Sequence, residues 1–152
     1  MKIIEVKEDY RDLYVKTLRH LIHSTINLPQ EALSYFSDPW TADKVKSSKD
    51  WVFLLALDEN KPSGVILGTP VEGGVGTIIW VLVDNTNQKK GIGTALFHEA
   101  CKLYKEKKAH KVKLTVPNRR TVEFYEKVGM VLEGEHKNHW WGNDFWSMGL
   151  QL

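Results

Sequence analysis

Apolar positions recur along this 152-residue chain with two different periods, which together predict a mixture of helices and strands. Helical spacing covers residues 8–26, 30–36, 39–49, 94–107 and 119–128. Short apolar runs bounded by turn residues predict strands, in chain order, at 2–7, 51–57, 62–67, 77–83, 111–116, 130–135 and 145–152. Helices and strands alternate only in the middle of the chain, so the pattern predicts a mixed α/β sheet.

The run at 77–83 differs from the other predicted strands because it is apolar without interruption. Strands that are covered by helices on both faces have this pattern. We therefore expect residues 77–83 to form a central strand, and the glycine-rich stretch at 68–76 to be the hairpin loop before it.

Composition sets broad limits on function. The apolar share of 42% and the charged share of 26% are ordinary for a globular protein, and the length predicts one domain over residues 1–152. A net charge of +2 is too small to indicate a nucleic-acid partner. No apolar run approaches the ~20 residues of a membrane span, and charges interrupt the first residues, so we expect no membrane partner and a cytoplasmic location.

Cysteine and histidine give little sign of metal or thiol chemistry. Cys101 is the only cysteine, and its place in a helical pattern favours a small buried hydrophobe over a nucleophile. His20 and His23 form one histidine pair, and His136 and His139 form another, without the cysteines or the His-Glu-x-x-His spacing typical of zinc sites. We expect no metal.

A glycine turn, Gln88-Lys-Lys-Gly-Ile-Gly93, joins the strand at 77–83 to the helix at 94–107. The first amides of a helix lack partners inside the helix and lie at the positive end of its dipole, so this turn predicts an anion site. It is neither a dinucleotide fingerprint, because Leu96 stands at the third glycine position, nor a P-loop. From the glycines alone, a turn without a ligand is the alternative.

A second motif, Asn118-Arg-Arg-Thr-Val-Glu-Phe-Tyr-Glu-Lys-Val-Gly-Met130, follows the next strand. With the glycine turn, it resembles the signatures of the GNAT acetyltransferase superfamily. The phosphate motif, Gln/Arg-x-x-Gly-x-Gly/Ala, is matched at Gln88, Gly91 and Gly93. The second signature, in which Thr121 replaces the usual Ala, is matched at Asn118, Phe124, Tyr125, Lys127, Gly129 and Met130. Each motif is weak alone, but both occur at the family's separation, and the element order fits from Lys2 onward.

The resemblance implies an α/β GNAT fold: a mixed central sheet of about six to seven strands, splayed in the middle and flanked by helices on both faces. Acetyl-CoA, the co-substrate, would enter the opening between the strands that end at Val83 and Val116, and a primary amine would attack it directly in a ternary complex. The implied cofactor-binding residues are Val81, Leu82, Val83, Gln88, Lys89, Lys90, Gly91, Ile92, Gly93, Thr94 and Asn118.

The resemblance also places Tyr125 near the sulfur of the cofactor. A phenol of pKa ~10 is suited to donating a proton to a departing thiolate, so Tyr125 is the candidate catalytic acid. The alternative is an aromatic core residue beside Phe124. Asn118 would bind the cofactor, cap a helix, or do both.

The proton acceptor cannot be assigned by motif. An alkylamine is protonated at pH 7, so a group must take a proton before attack. The strand at 77–83 offers no carboxylate, and the strand at 111–116 offers only Lys113 or Thr115. A water relay would also serve, and the remaining candidates are Glu72, Glu133, Glu135, His136, His139 and Asp144.

The acceptor is expected to be an amine on a small molecule, a peptide N-terminus or a lysine. The aromatic segment at 136–146 should face residues 28–40 across the acetyl end of the cofactor, with Trp140 and Trp141 alternating on a strand; core filling is the alternative. Asp38 or Asp144 would orient the ammonium. The runner-up functions are transfer of a longer acyl group, a catalytically silent acyl-CoA-binding or regulatory module, and a nucleic-acid-binding domain that uses the lysines at 102–113. A homodimer is compatible with the sequence.

Overall fold

The computed structural model describes residues 1–88 and 90–152. Its strands are β1 (Lys2–Glu5), β2 (Val52–Asp58), β3 (Lys61–Gly68), β4 (Val75–Val83), β5 (Lys111–Val116), β6 (Val131–His136) and β7 (Phe145–Gln151). Its helices are α1 (Arg11–Thr25), α2 (Gln30–Ser37), α3 (Ala42–Ser47), α4 (Ile92–Glu106) and α5 (Arg119–Lys127), and 3₁₀ turns lie at Asn85–Asn87 and Trp140–Gly142.

The strands form one mixed sheet in the order β1-β2-β3-β4-β5-β7-β6. Every neighbouring pair is antiparallel except β4 and β5, which are parallel. The α/β sheet predicted from the sequence, with six to seven strands, is therefore confirmed.

Two apolar cores cover the two faces of the sheet. On one face, α4 and α5 pack on alternate strand residues such as Leu54 and Ile66. On the other face, α1, α2 and α3 pack on the residues between them, such as Phe53 and Leu55. Each position of β2 from Val52 to Leu57 is buried, since a strand between two helical layers has no solvent face. The expectation of helices on both faces is confirmed.

The sheet opens between β4 and β5. These strands pair over only three positions, Val75 with Lys111, Gly76 with Val112 and Thr77 with Lys113. Beyond Thr77, β4 continues for six residues toward Val83 without pairing to β5. The splayed centre expected from the family resemblance is therefore present.

A β-bulge coincides with the start of the opening. The β3–β4 register runs from Leu67 opposite Trp80 to Gly68 opposite Ile78, which leaves Ile79 as the extra residue. Because of this insertion, Ile78 packs in the core beneath α4 whereas Leu82 packs in the opposite core, although an even spacing would place both on one face.

The second half of β4 is less covered than its apolar sequence predicts. Ile79 to Val81 and Val83 are only half-buried, and Leu82 alone of these residues is fully buried. The reason is the opening itself, since one edge of this half-strand has no neighbouring strand. Within the described ranges, no helix is both long enough and apolar enough to span a bilayer.

Candidate active site

A cleft of about 860 Å³ lies in the opening of the sheet. Its walls are the diverging halves of β4 and β5, and the first residues of α4 and α5 close one end. The segment after α1, including Ile26, and Asn143 from the loop before β7 also line it. Two helix N-termini therefore meet at the same cavity, which concentrates partial positive charge there.

The first of these N-termini is the glycine turn. Gly91 precedes α4 with φ 79° and ψ 7°, a left-handed conformation that favours glycine. No side chain caps the helix, and the Ala95 N–H is bonded to the Gly91 carbonyl at 3.0 Å. The amides of Ile92, Gly93 and Thr94 precede that bond and have no partner inside the helix, as an anion site requires.

Gly93 has a different reason to be glycine. Its backbone is helical, and an added Cβ would lie 3.4 Å from Phe124 and 3.5 Å from Val83, which are ordinary contacts. The protein's own packing therefore admits a methyl group at this position. Because Gly93 lines the cleft, the missing side chain leaves room for a ligand to approach the backbone.

The polar side chains of the turn form hydrogen bonds within the turn itself. The Gln88 side chain donates to Asn85 Oδ1 at 2.9 Å and to the Val83 carbonyl at 3.3 Å, so it holds the turn in shape. The Lys90 ammonium is exposed and donates to Asn87 Oδ1 at 3.3 Å. Lys89, also expected to bind the cofactor, lies outside the described residues.

The edge of β4 offers backbone groups to the cleft. Val81, Leu82 and Val83 pair on one side with Ile66, Val65 and Gly64 of β3. Alternate N–H and C=O groups of a strand point to opposite edges, so those on the other edge face the opening. An extended chain placed in the cleft would find unpaired donors and acceptors there.

The second helix N-terminus belongs to α5. Asn118 Oδ1 accepts a hydrogen bond from the Arg120 N–H at 2.9 Å, which confirms the helix-cap interpretation of Asn118. Asn118 also lines the cleft. Beside it, Arg119 brings a cation that the sequence reasoning did not single out. Arg119 could have been identified from the sequence, because it directly follows the motif asparagine at the start of a predicted helix.

Tyr125 lies at the inner wall of the cleft and is 4% exposed. Its ring packs edge-on against Phe97, at 5.8 Å between centroids, and Phe124, at 5.0 Å. Burial raises the pKa of the Tyr125 hydroxyl well above its usual value of ~10, so the phenol keeps its proton at neutral pH. Tyr125 is thus both a core aromatic and a protonated group that lines the cleft.

The acidic base candidates do not line the cleft. Glu133 is 2.7 Å from the Lys111 ammonium, and Lys137 bridges Glu135 at 2.9 Å and Asp144 at 3.4 Å. The hydrogen bond from the Asn138 N–H, followed by Lys137, lowers the pKa of Asp144 and makes it a weaker base. Among the described lining residues, Arg119 and Tyr125 are the only ionisable side chains.

Four aromatic rings meet beside the cleft, and we call them the aromatic cluster: Tyr35, Phe36, Trp80 and Trp141. Trp141 lies 5.1 Å from Tyr35 and 5.3 Å from Phe36 between ring centroids, and Phe36 lies 5.2 Å from Trp80. Trp80 lines the cleft. Segments 28–40 and 136–146 therefore contact each other beside the cleft, whereas their position across the acetyl end of the cofactor stays a prediction.

The prediction that Trp140 and Trp141 alternate on a strand is wrong. Both lie in the 3₁₀ turn before β7, and Trp141 has φ 52° and ψ 34°. A bulky side chain is rarely found in this left-handed conformation, so packing against α2 holds it there. Trp141 packs inward as a result, while Trp140 stacks on its outer side and is 48% exposed.

The remaining candidate residues lie away from the cleft. Asp38 forms an exposed ion pair with Arg19 at 3.6 Å, and His23 shares a hydrogen bond with Ser37 at 2.8 Å. Burial raises the pKa of the Cys101 thiol to about 11, which disfavours the nucleophilic thiolate at neutral pH. No group of three metal-binding side chains occurs within residues 1–88 and 90–152.

Comparison with known proteins agrees with this geometry. The family model described as "Acetyltransferase (GNAT) family" matches residues 25–130. The ribosomal-protein-S18-alanine N-acetyltransferase of Escherichia coli superposes with a TM-score of 0.76 at 16% identity, covering 99% of this chain and 92% of that one. Ard1 of Thermoplasma volcanium gives 0.79 at 18% identity, covering 99% and 97%.

The PaiA N-acetyltransferase of Thermoplasma acidophilum, solved in complex with coenzyme A, gives a TM-score of 0.75 at 20% identity, and each chain is covered completely, at 100%. A search of curated proteins finds no match. Solved structures at these identities establish the fold, and the family model spans well over half of the sequence. The chain therefore belongs to the GNAT acetyltransferase family.

Proposed function

We propose that this protein is an N-acetyltransferase that moves the acetyl group of acetyl-CoA to a primary amine by direct attack in a ternary complex. The observation that carries the proposal is a single cleft that combines two helix N-termini, the unpaired edge of β4 and the protonated Tyr125. These features suit the pyrophosphate, the extended pantetheine arm and the departing thiolate of one molecule.

The cofactor half of the cleft offers groups that suit the parts of coenzyme A. The amides of Ile92, Gly93 and Thr94 would hold the pyrophosphate, with Lys90 and Arg119 adding positive charge nearby. The pantetheine amides would pair with the free edge of β4 at Val81 to Val83, and Asn118 lies on the opposite wall. A backbone N–H on that edge would polarise the thioester carbonyl as negative charge develops on its oxygen.

Tyr125 would protonate the leaving thiolate. Burial raises the pKa of the phenol, so it carries its proton throughout the neutral range but is a weaker acid than free tyrosine. When the tetrahedral adduct collapses, the carbon–sulfur bond breaks and the proton of the Tyr125 hydroxyl moves to sulfur. The partly buried Cys101, with its raised pKa, is not placed to act as an acyl carrier, which favours direct attack.

The acceptor would bind against the aromatic cluster. Its rings adjoin the cleft through Trp80 and suit an amine that carries an apolar body, since a cation on a Trp face gains about 0.5–2 kcal/mol. One relative of known structure is named for the alanine of ribosomal protein S18. A peptide N-terminus is therefore an acceptor class to test beside small aromatic amines.

The test is a thiol-release assay with acetyl-CoA and four acceptors: phenethylamine, spermidine, N-acetyl-lysine methylamide and a hexapeptide with a free N-terminal alanine. Acetyl transfer to at least one amine, confirmed by the mass of the product, supports the proposal. Tight CoA binding by calorimetry without thiol release from any amine would instead favour a catalytically silent acyl-CoA-binding module. Faster turnover with butyryl-CoA than with acetyl-CoA would identify a longer acyl group as the natural cargo.

A further inference from the structure

Part of the sheet face opposite α4 and α5 is lined by polar side chains from β5, β6 and β7. Leu114, Val116 and Met148 point into the core beneath α4 and α5. Thr115 and Ser147 alternate with these residues and therefore point to the other face.

Thr115 and Ser147 are directly opposite each other on β5 and β7. Residues in this relationship have Cβ atoms about 4.5–5.5 Å apart, so one bridging water can connect their hydroxyls. Thr115 lines the cleft. It is also the only residue of β5 that carries a hydroxyl, so it offers the cleft a group that can pass a proton.

Ser147 has a second polar neighbour at the next strand. Its Oγ lies 2.5 Å from Nε2 of His136, which is half-buried at the end of β6. His139 is 5.1 Å away between ring centroids and is exposed, without a hydrogen bond to Ser147 among the described residues. His136 is thus hydrogen-bonded to Ser147, which lies directly opposite the cleft-lining Thr115.

We propose that His136 is the proton acceptor for the amine substrate, reached through Ser147 and Thr115; the inference rests on the proposed N-acetyl transfer. The ammonium gives a proton to the Thr115 hydroxyl or to a water beside it. Ser147 then takes one proton and passes its own to Nε2, so both hydroxyls end unchanged and His136 becomes an imidazolium.

The remaining proton balance closes at Tyr125. The neutral amine attacks the thioester carbon, Tyr125 gives its proton to the thiolate, and the second nitrogen proton of the adduct returns to the Tyr125 oxygen through water in the cleft. His136 is half-exposed, so it releases its proton to solvent before the next turnover.

The charges around His136 are mixed in sign. His139 from the following loop lies beside His136, and the charged residues on the same strands and loop include Lys113, Glu135 and Asp144. Lys137 is engaged by both carboxylates, and Lys111 by Glu133. Phe145, opposite His136 on β7, is apolar.

The experiment compares wild type with His136→Gln and Ser147→Ala in single-turnover acetyl transfer from pH 5 to 9, using the fastest acceptor of the panel above. Glutamine keeps an acceptor for the Ser147 hydroxyl but cannot take a proton. The matched control is His98→Gln, the same substitution at an exposed position of α4. Thermal unfolding and CoA calorimetry confirm that each variant folds and binds cofactor.

We expect the wild-type rate to rise with pH and then level off, as a rate does when one group must be free of its proton before the reaction. His136→Gln should lower the rate at least tenfold at pH 7.5. Its pH–rate profile should lack the wild-type bend, and the rate should keep rising to pH 9 because only water and hydroxide accept the proton. The rate of Ser147→Ala should fall by a similar factor. The double variant should be no slower than either single variant, because both substitutions interrupt the same proton-transfer path.

A His136→Gln enzyme that keeps both the wild-type rate and the wild-type bend would overturn the relay. If His136→Gln does not fold, the same two results in Ser147→Ala would overturn it instead. Absence of transfer by the wild-type protein to every amine would refute the proposed function and the relay together. The two failures are therefore distinguishable.

Discussion

The Tyr104 hydroxyl lies 3.2 Å from the carbonyl oxygen of Thr77, the last β4 residue that pairs with β5. The same hydroxyl donates to the Thr69 carbonyl at 2.8 Å. Gly68 and Gly76 give the ring its space, since a Cβ at either position would lie within 3 Å of Tyr104 atoms. Tyr104 on α4 therefore holds the backbone of β4 in place where the sheet begins to open.

Tyr104→Phe should cost about 1 kcal/mol of unfolding free energy, because it removes a buried hydrogen bond and leaves the Thr69 carbonyl without this donor. It should also weaken CoA binding severalfold, because the opening is less firmly held. Urea denaturation and calorimetry measure the two effects. Tyr14→Phe is the control, since Tyr14 donates a similar buried bond to Ile66 at 2.6 Å; unchanged CoA affinity in Tyr104→Phe would limit Tyr104 to a packing role.

Gly93→Val should weaken CoA binding at least tenfold, about 1.4 kcal/mol, by placing a branched side chain where the pyrophosphate approaches the helix. The Cβ itself makes only ordinary contacts, and thermal unfolding checks that the branched variant folds. Calorimetry with CoA measures the effect. Gly134→Val on β6, where an added Cβ meets nothing within 4 Å, is the control and should leave the CoA affinity unchanged.

Tyr125→Phe should lower kcat by roughly 100-fold and change the KM for acetyl-CoA little, because it removes only the hydroxyl that protonates sulfur. Single-turnover measurements separate this effect from product release. A more reactive thioester with a better leaving group should reduce the difference between variant and wild type. Wild-type kcat in a folded Tyr125→Phe protein would leave Tyr125 as a core aromatic alone.

Trp141→Ala should raise the KM for the amine and leave CoA binding intact, because Trp141 contacts Tyr35 and Phe36 on the acceptor side and lines no part of the phosphate site. This pattern is expected when a contact that stabilises the ground state and the transition state equally is lost. An aromatic contact of about 0.5–1.5 kcal/mol corresponds to a roughly 2- to 10-fold increase in the KM for the amine. Trp140→Ala, on the outer side of the stack, should have the smaller effect. Equal losses for both ligands would mean that Trp141 supports the fold.

Stability should fall steeply in alkali. Burial raises the pKa values of Tyr14, Tyr104 and Tyr125 above ~10, so the unfolded chain releases these protons at a lower pH than the folded protein. Above pH 10 the folded state therefore binds more protons, and each tyrosine lowers the unfolding free energy by about 1.4 kcal/mol per pH unit. Urea denaturation from pH 9 to 11 measures how the unfolding free energy changes with pH. In Tyr14→Phe this change per pH unit should be smaller, because one of the three tyrosines no longer contributes.

Periodicity predicted most helices and strands because the apolar pattern and the backbone agree in those elements, whereas the splayed centre of the sheet was implied by the family resemblance. The strand at 51–57 and the helix at 94–107 are close to β2 and α4, with ends that shift by one or two residues. The two motifs also predicted which helix N-termini meet at the cleft. These features depend on local sequence and on the alternation of strands and helices.

Other features depend on contacts between distant segments, and the pattern does not encode them. The bulge at Ile79 is a register difference between β3 and β4 within an unbroken apolar run, and nothing in that run marks the extra residue. Trp141 adopts its left-handed backbone because α2 packs against its ring. Thr115, Ser147 and His136 lie on three adjacent strands only because of the β5-β7-β6 order, which the chain order does not reveal.

Only three residue pairs join β4 to β5, and this short region of pairing, which we call the seam, connects the two halves of the sheet. Away from it, the neighbouring strands pair over at least four positions each, so the seam is where the sheet resists separation least. An extended ligand that bonds to both diverging strands would lengthen the seam and act as a temporary extra strand. The substrate would then complete the architecture that binds it, and release of the spent cofactor would restore the gap.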